Sequence, residues 1–214
     1  MGEISLRRRV EPLLQVEVHE VLLGEEYLMS SLFTVAEVEL ARLGLAAATG
    51  EDLDVVVGGL GLGWTARTAL QDERVRTLHV VEALPPVIEW HRRGLLPHAQ
   101  DLTGDPRTRL VVGDFFASEL PVSHVVLLDV DHSPRHVLHP SHAGFYTQGG
   151  LQRLRSRLHP GGVFALWSDD PPDDGFLTVL GEVFGETQAH VVRFANPLTG
   201  GESANTVYVA VSRL

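Results

Sequence analysis

Residues 53–63 read Leu-Asp-Val-Val-Val-Gly-Gly-Leu-Gly-Leu-Gly, a short apolar run that passes directly into a glycine-rich turn. The run predicts a buried β-strand, and the helix-like stretch 65–70 that follows predicts a strand–turn–helix unit. The turn holds more glycines than reversing the chain needs, namely Gly58, Gly59, Gly61 and Gly63. Glycines let a ligand approach the backbone with no Cβ in the way. The turn therefore predicts a ligand site at the end of a strand.

Strand-like and helix-like segments alternate along the chain after this unit. Further apolar runs of strand length lie at 77–81, 109–112, 124–128 and 163–167. Apolar residues at helical spacing lie between them at 85–93 and 148–158. This βα alternation predicts a parallel sheet.

The end of the chain changes character. A helix-like stretch at 176–184 leads to strand-like runs at 190–194 and 206–211, and so short a connection requires antiparallel pairing. This arrangement resembles Rossmann-like transferases that use S-adenosylmethionine. We predict that α/β fold, with a mainly parallel seven-stranded sheet and an antiparallel C-terminal hairpin.

Residues 1–50 are predicted as a small strand/helix extension and residues 51–214 as a Rossmann-like catalytic domain. Residues 14–23 alternate like an edge strand. Thr34 and Glu37 have the spacing of a capping box that opens a helix reaching Ala48. The basic run 7–9 is predicted as a solvated leader.

Composition excludes several classes of function. The 28 acidic residues exceed the 17 basic ones, for a net charge of −11, which argues against nucleic acid or an anionic membrane as a partner. The chain has no cysteine, which excludes disulfides, thiolate metal sites and a cysteine nucleophile. The absence of an apolar run of signal-peptide or membrane-span length predicts a cytoplasmic protein.

Acids follow the second and third strands of the predicted sheet. Glu82 ends the strand-like run 78–82, where a carboxylate accepts hydrogen bonds from ribose hydroxyls. Asp114 follows the next run and is placed to accept from an adenine amino group. The glycine turn alone fits both a dinucleotide and an S-adenosyl sulfonium, but the two acids together favour the sulfonium. An NAD-dependent oxidoreductase stays an alternative.

Asp129 and Asp131 follow the fourth strand of the sheet. Ligands of open α/β sheets bind outside the carboxyl ends of the strands, so these carboxylates are predicted to face the ligand. Two carboxylates there would recognise a cation and remove its proton. An amine nucleophile needs this step, because an ammonium has no lone pair with which to attack.

The stretch from residue 51 to about 166 resembles the spermidine synthase (polyamine aminopropyltransferase) family. The motifs that carry the resemblance are the turn 58–63, Val-Val-Glu at 80–82, Asp-Pro-Arg at 105–107 with Gly-Asp at 113–114, Phe-Tyr at 145–146, and Leu-His-Pro-Gly-Gly at 158–162.

The resemblance implies aminopropyl transfer from an S-adenosyl ligand to a small-molecule amine. It assigns the ligand to the glycine turn, to Glu82 with the adjacent Ala83, and to Asp114 with Phe115. Asp129 is implied as the acid that deprotonates the amine, and Asp131 as a second catalytic acid. A homodimer is among the assemblies that the family allows.

The sequence departs from the family pattern at three places. Gly61 stands where the family's turn usually has an aspartate that holds the amine end of decarboxylated S-adenosylmethionine, so both the decarboxylated and the ordinary form stay open. The gate loop has Asp131 displaced from the family's second acid, and the N-terminal region is short. A methyltransferase and a non-catalytic adenosyl-ligand-binding protein are therefore alternatives.

Histidines and acids are frequent in two loops near the predicted site. The loop after the fourth strand carries four histidines without a fixed common face, which predicts a polar lid and no metal site: His132, His136, His139 and His142. The acids after the fifth strand are predicted as a solvated loop that adds negative potential: Asp169, Asp170, Asp173 and Asp174.

Overall fold

In the computed structural model, which describes residues 3–213, the chain forms a three-stranded sheet followed by a seven-stranded sheet with helices on both faces. The first part comprises β1 (Ile4–Glu11), β2 (Val16–Leu23), β3 (Glu26–Ser30) and α1 (Val35–Ala47). The second part comprises β4 (Leu53–Gly58), α2 (Trp64–Leu70), β5 (Val75–Glu82), α3 (Pro85–Arg92), α4 (Ala99–Thr103), β6 (Thr108–Val112), β7 (Ser123–Leu128), α5 (Gln148–Arg155), β8 (Leu158–Ser168), α6 (Asp174–Val183), β9 (Gly185–Asn196) and β10 (Gly201–Ser212).

The large sheet has the strand order β6-β5-β4-β7-β8-β10-β9. Strands β4 to β8 pair in parallel, and β10 pairs antiparallel with both β8 and β9. The predicted fold is confirmed. Strand order reverses between β4 and β7, and a ligand crevice forms at the carboxyl ends of strands at such a point.

The core lies on both faces of this sheet. Along β4, Val55 and Val57 pack into the cluster beneath α1, whereas Val56 packs with Leu128 and Phe164 on the other face. Successive strand residues point to opposite faces, which explains the unbroken apolar runs of the sequence. Each fully buried side chain of this size contributes about 1.5–3 kcal/mol. The core therefore holds the strand ends, and the loops after them, in fixed positions.

The N-terminal region differs from its predicted form. The basic run 7–9 is part of β1 and not a solvated leader, and Arg7 and Arg9 each donate to the buried Glu20 at 2.7 Å. Strand β2 lies between β1 and β3, so the predicted edge strand is the central one. An ion pair across β1 and β2 thus holds together a sheet with a small core.

Several helices and strands begin or end at other residues than the sequence predicts. Helix α5 ends at Arg155 instead of residue 158, because Leu158 already begins β8. The hairpin strands β9 and β10 extend well beyond their apolar centres through twelve paired residues. Among the helices described between residues 3 and 213, none has both the length and the apolar composition to cross a membrane.

Candidate active site

The glycine turn after β4 runs directly against the backbone that follows β7. The Gly59 N–H donates to the Val81 carbonyl at 2.9 Å, and the Asp129 N–H donates to the Gly58 carbonyl at 2.8 Å. Gly59 has φ +90°, and a Cβ placed there would lie 2.1 Å from the Asp129 carbonyl oxygen. Only glycine fits this position, so the glycine fixes the spacing between the turn and Asp129.

Glu82 organises the turn from the end of β5. Its carboxylate accepts from the backbone N–H groups of Leu60 at 2.9 Å and of Leu84 at 2.8 Å, and the Gly61 N–H lies 3.5 Å away. The side chain is buried. A carboxylate offers about four acceptor sites, so Glu82 keeps capacity for further donors. The predicted contact with ribose stays a prediction.

His91 on α3 supports the turn from the other side. Its Nε2 lies 3.0 Å from the Gly61 carbonyl oxygen, and burial lowers the pKa of the ring. The ring is therefore neutral near pH 7 and donates its Nε2–H to that carbonyl. No pattern in the sequence points to His91, because nothing along the chain links α3 to the turn.

Ala83, Asp114 and Phe115 lie at the carboxyl ends of β5 and β6. Ala83 and Asp114 are exposed, and the Asp114 carboxylate accepts from the Phe116 N–H at 2.9 Å. Phe115 is buried against Gly58, where a Cβ would lie 2.6 Å from its ring. The three residues share the sheet edge of the turn, and their predicted part in adenosine binding stays a prediction.

Asp129 lies beside two groups that the predicted site does not include. The Thr65 hydroxyl donates to Asp129 Oδ2 at 2.7 Å and lies 3.3 Å from the Glu37 carbonyl oxygen. Burial raises the pKa of Asp129 to about 6. Burial, and then the negative charge of Asp129, raises the pKa of Glu37 to about 8. Near neutral pH the two carboxyl groups together therefore carry about one proton, which resides mainly on Glu37.

Glu37 has a different role from the one that its spacing predicts. The Thr34 side chain makes no capping hydrogen bond at the start of α1, so the predicted capping box is wrong. Ala36, Leu40 and Ala41 bury their side of α1 in the core, and Glu37 lines the cavity beside them. The sequence does contain a sign of this role, because Glu37 is an acid directly beside the apolar face of α1.

A cavity of about 520 Å³ opens beside Asp129. The turn contributes Gly61 and Gly63, the N-terminal sheet contributes residues 27–30, and the C-terminal hairpin contributes residues 203–205. Glu37, Asp129 and Asp169 supply three acids to the wall. Within the part of the chain that the structure describes, no arginine or lysine lines it. The cavity thus has the electrostatic character of a cation site.

Asp131 lies beneath the loop that follows β7, away from the cavity wall. It is fully buried and accepts from the Leu138 N–H at 2.7 Å, from His142 Nδ1 at 2.8 Å and from the Tyr146 hydroxyl at 2.8 Å. These contacts anchor the loop to the protein. The catalytic role predicted for Asp131 has no support in this placement, since its carboxylate is engaged by three donors.

The four loop histidines have separate surroundings. His132 lines the cavity, His136 pairs with Asp170 at 2.8 Å, His139 contacts Ser141 at 2.7 Å, and His142 pairs with Asp131. Their contacts tie the loop to several parts of the protein.

Three of the four acids after β8 have partners, and the prediction of a solvated loop agrees with the exposure of Asp169 and Asp174 but not with Asp173, whose side chain is mostly covered. Asp169 accepts from Asn205 at 2.7 Å, Asp170 pairs with His136, and Asp173 pairs with Arg135. Asp173 also caps α6, accepting from the Gly175 N–H at 2.8 Å. Asp174 is exposed. This loop thus joins the loop after β7 to the C-terminal part of the sheet.

A further polar cluster lies at the opposite edge of the sheet, where Asp54, His124 and His159 begin β4, β7 and β8. Among the described residues these three alone have ligand atoms close enough for a metal, within 4.8 Å of one another. The Asp54 carboxylate already accepts from Arg76 and Thr77, and the Asp54 N–H donates to His124 Nδ1 at 3.0 Å. These protein contacts compete with any metal.

Because the pKa of Glu37 differs between the folded and the unfolded protein, we expect the free energy of unfolding to depend on pH. Glu37 has an ordinary pKa of 4.5 that rises to about 8 on folding, so its own contribution to stability is most favourable below pH 4.5 and falls as the pH rises to about 8. Glu37→Gln cannot ionise. We expect its melting temperature to rise relative to wild type between pH 5 and pH 8.5, by on the order of 5 °C, in scanning calorimetry.

The matched control for this measurement is Glu39→Gln on the same helix, which removes only the surface pair with Arg42. Its difference from wild type should stay flat with pH. A flat difference for Glu37→Gln as well would contradict the raised pKa of Glu37.

The chain is similar in sequence to curated aminopropyltransferases and in fold to solved transferases. Polyamine aminopropyltransferase 2 of Pseudomonas aeruginosa is 30% identical over 156 residues, which are 67% of this chain and 43% of that protein. Polyamine aminopropyltransferase of Prochlorococcus marinus is 29% identical over 171 residues, 75% of this chain and 54% of that protein. A spermidine synthase solved in complex with the transition-state analogue AdoDATO superimposes with a TM-score of 0.74 at 18% identity, over 96% of this chain and 69% of that one.

The chain is a divergent member of the polyamine aminopropyltransferase family. No family model matches its sequence. The chain spans about half the length of the curated aminopropyltransferases that it matches, at 43% and 54%. Human methyltransferase-like protein 13, solved with SAH, also shares the fold, with a TM-score of 0.54 at 21% identity over 83% of this chain and 78% of that one.

Proposed function

We propose that the protein transfers an aminopropyl group from an S-adenosyl sulfonium to an amine, with Asp129 as the proton acceptor. The observation that carries the proposal is the cavity beside Asp129, whose wall holds three acids and, among the described residues, no arginine or lysine. Such a wall suits a sulfonium and an ammonium, and it repels anionic ligands. The family relatives, which are named for this activity, support the same reaction.

The residues around the turn fit an adenosyl ligand. The glycines leave the backbone open to close approach, and Glu82 keeps acceptor capacity at the end of β5. Asp114 is exposed at the end of β6, where its carboxylate is accessible to an adenine amino group. The spermidine synthase with the same fold was solved with AdoDATO, and the methyltransferase-like protein with SAH, which supports an adenosyl ligand here.

Asp129 has the properties of a general base for an amine. Its pKa, raised to about 6 by burial, lies near the pH at which a base must accept a proton and later lose it. Thr65 holds the carboxylate in place through its 2.7 Å hydrogen bond. Glu37 lines the same cavity, and two ionised carboxylates there would repel each other. A proton or a cation between them relieves this repulsion and is therefore bound more strongly.

The reaction then balances as a displacement. The sulfonium supplies an activated carbon and a neutral thioether as leaving group. Asp129 takes a proton from the ammonium and exposes the nitrogen lone pair, which forms the new C–N bond. The C–S bond breaks, and its electron pair goes to sulfur. The rest of the cavity orients the two partners and excludes water.

Product analysis tests the proposal. The protein is incubated with decarboxylated and with ordinary S-adenosylmethionine, each with a panel of mono- and diamines. We expect methylthioadenosine to form with the decarboxylated compound, and its amount to equal that of the aminopropylated amine in mass spectrometry.

Two other outcomes of this assay, and one separate measurement of thermal stability, would contradict aminopropyl transfer. S-adenosylhomocysteine as the product identifies a methyltransferase, which Gly61 favours because the turn lacks the family's aspartate. Absence of both products, with ligand binding retained, favours a non-catalytic adenosyl-ligand-binding protein. A rise in melting temperature with NAD and not with the sulfonium compounds would favour an oxidoreductase.

A further inference from the structure

The cavity has lost one acid of the family pattern and contains another that the pattern does not require. Gly61 stands at the turn position where the family usually has an aspartate for the amine end of its ligand, and Glu37 on α1 lines the same cavity. We propose that Glu37 replaces that aspartate and, with Asp129, forms the subsite for the primary ammonium of the transferred aminopropyl group. This inference rests on the proposed function and adds its specificity-determining residue.

The turn itself is poorly suited to carry the acid. Gly61 has φ +48°, a conformation that residues with a side chain rarely adopt. A Cβ there would lie 2.7 Å from the Met29 sulfur, so Met29 would have to move. Met29 belongs to β3 and lines the cavity. The N-terminal sheet therefore occupies the space where the family's acid would project.

Helix α1 is well suited to carry it instead. The buried residues Ala36, Leu40 and Ala41 fix the rotation of the helix on the sheet, and Glu37 then lies at the cavity wall. Thr65 contacts both the Glu37 carbonyl and the Asp129 carboxylate, at 3.3 and 2.7 Å. The shared hydroxyl holds the first turn of α1 next to the acid after β7. The position of Glu37 is thus set by the core and not by a surface contact.

The charges around Glu37 select the kind of ligand. Asp129, Asp169, His132 and Tyr27 are the titratable groups that line the cavity with it. Asp169 accepts from the Asn205 amide, whereas Glu37 and Asp129 line the same cavity, with Thr65 contacting the Glu37 backbone carbonyl and the Asp129 carboxylate. Burial, and then the negative charge of Asp129, raises the pKa of Glu37 to about 8, so at neutral pH the site favours a proton or another positive charge beside the two acids.

A primary ammonium can take the place of that proton, since it has three N–H donors and a positive charge. The carboxylate of ordinary S-adenosylmethionine would instead add a like charge to the wall. The subsite therefore discriminates in favour of the decarboxylated ligand.

Calorimetric titration of the whole protein tests this inference without an amine acceptor or turnover. The ligands are decarboxylated S-adenosylmethionine and methylthioadenosine, which has the same nucleoside and no amine. In wild type at pH 7.5, we expect the amine-bearing ligand to bind more tightly and to release up to one proton. The proton appears as a difference in heat between two buffers of unlike ionisation enthalpy, and methylthioadenosine releases none.

The variant Glu37→Gln isolates the residue. We expect its affinity for the amine-bearing ligand to fall about 10-fold or more, its affinity for methylthioadenosine to stay within about 2-fold, and the proton release to disappear. Glu37→Asp, which keeps the charge, should recover part of the discrimination. Glu39→Gln on the same helix, outside the cavity, should behave as wild type. Circular dichroism of each variant checks that it is folded.

The inference is overturned if Glu37→Gln weakens both ligands equally, or if wild type does not prefer the amine-bearing ligand. These outcomes differ from failure of the proposed function. A protein that binds the ammonium through Glu37 but makes no methylthioadenosine contradicts the transfer reaction alone. A protein that turns over with unchanged affinities in Glu37→Gln contradicts the inference alone.

Discussion

Asp129→Asn is expected to lower kcat for aminopropyl transfer by about 100- to 10,000-fold, because the amide cannot accept the proton of the amine. The substitution keeps the size of the side chain, and the Thr65 hydroxyl can still donate to the amide oxygen. The fold and the affinity for methylthioadenosine should therefore stay close to wild type. Steady-state kinetics with a discontinuous product assay gives kcat, and calorimetry gives the affinity for methylthioadenosine.

The matched control is Asp52→Asn, at an exposed position in the loop before β4 and thus at the opposite edge of the sheet. It should leave kcat unchanged. The pH profile adds a second readout: the wild-type rate should rise as Asp129 ionises, through a pKa near 6, and the variant should lack this step. If Asp129→Asn retained a rate within threefold of wild type, Asp129 would not be the base.

Gly59→Ala is expected to destabilise the protein by about 3 kcal/mol or more. Left-handed backbone costs about 1–2 kcal/mol for a residue with a Cβ, and overpacking adds about 1–3 kcal/mol. The added Cβ would meet the Asp129 carbonyl at 2.1 Å, and that backbone cannot rotate away as a side chain could. Denaturant unfolding followed by circular dichroism measures the loss, and activity should fall with it because the turn moves away from Asp129.

The variant Gly94→Ala is a control that separates the cost of the left-handed backbone from the cost of the steric clash at Gly59. Gly94 has φ +67°, and a Cβ there would meet nothing within 4 Å, so its variant should lose only the backbone contribution of about 1–2 kcal/mol. Equal losses in the two variants would mean that the contact with Asp129 relaxes freely, and that Gly59 is needed for its conformation alone.

Much of the fold follows from local sequence. The apolar runs that became the inner strands β4, β5, β7 and β8 are continuous because parallel strands are buried on both faces, and that pattern does not depend on distant residues. The antiparallel hairpin of β9 and β10 follows from a short connection. Asp129 could be placed at the ligand edge for the same reason, because the carboxyl end of a parallel strand faces the crevice wherever the strand lies.

The N-terminal strands and the second acid could not be derived in this way. Strand β1 contains Arg7 and Arg9, which suggest a solvated segment until the buried Glu20 on β2 is placed beside them. Asp131 follows the same strand as Asp129 two residues later, yet three donors from the loop 138–146 hold it away from the cavity. Its partners come from a segment that has no regular pattern in the sequence.

The sequence by itself determined the fold class, the glycine turn and the placement of Asp129 at the end of a strand, since each depends on residues adjacent in the chain. Only the tertiary structure decided which acid stands beside Asp129. Glu37 lies 92 residues earlier and enters the site because Ala36, Leu40 and Ala41 pack α1 onto the sheet. Contacts of that kind depend on the shape and charge of the folded surfaces, and no short-range pattern encodes them.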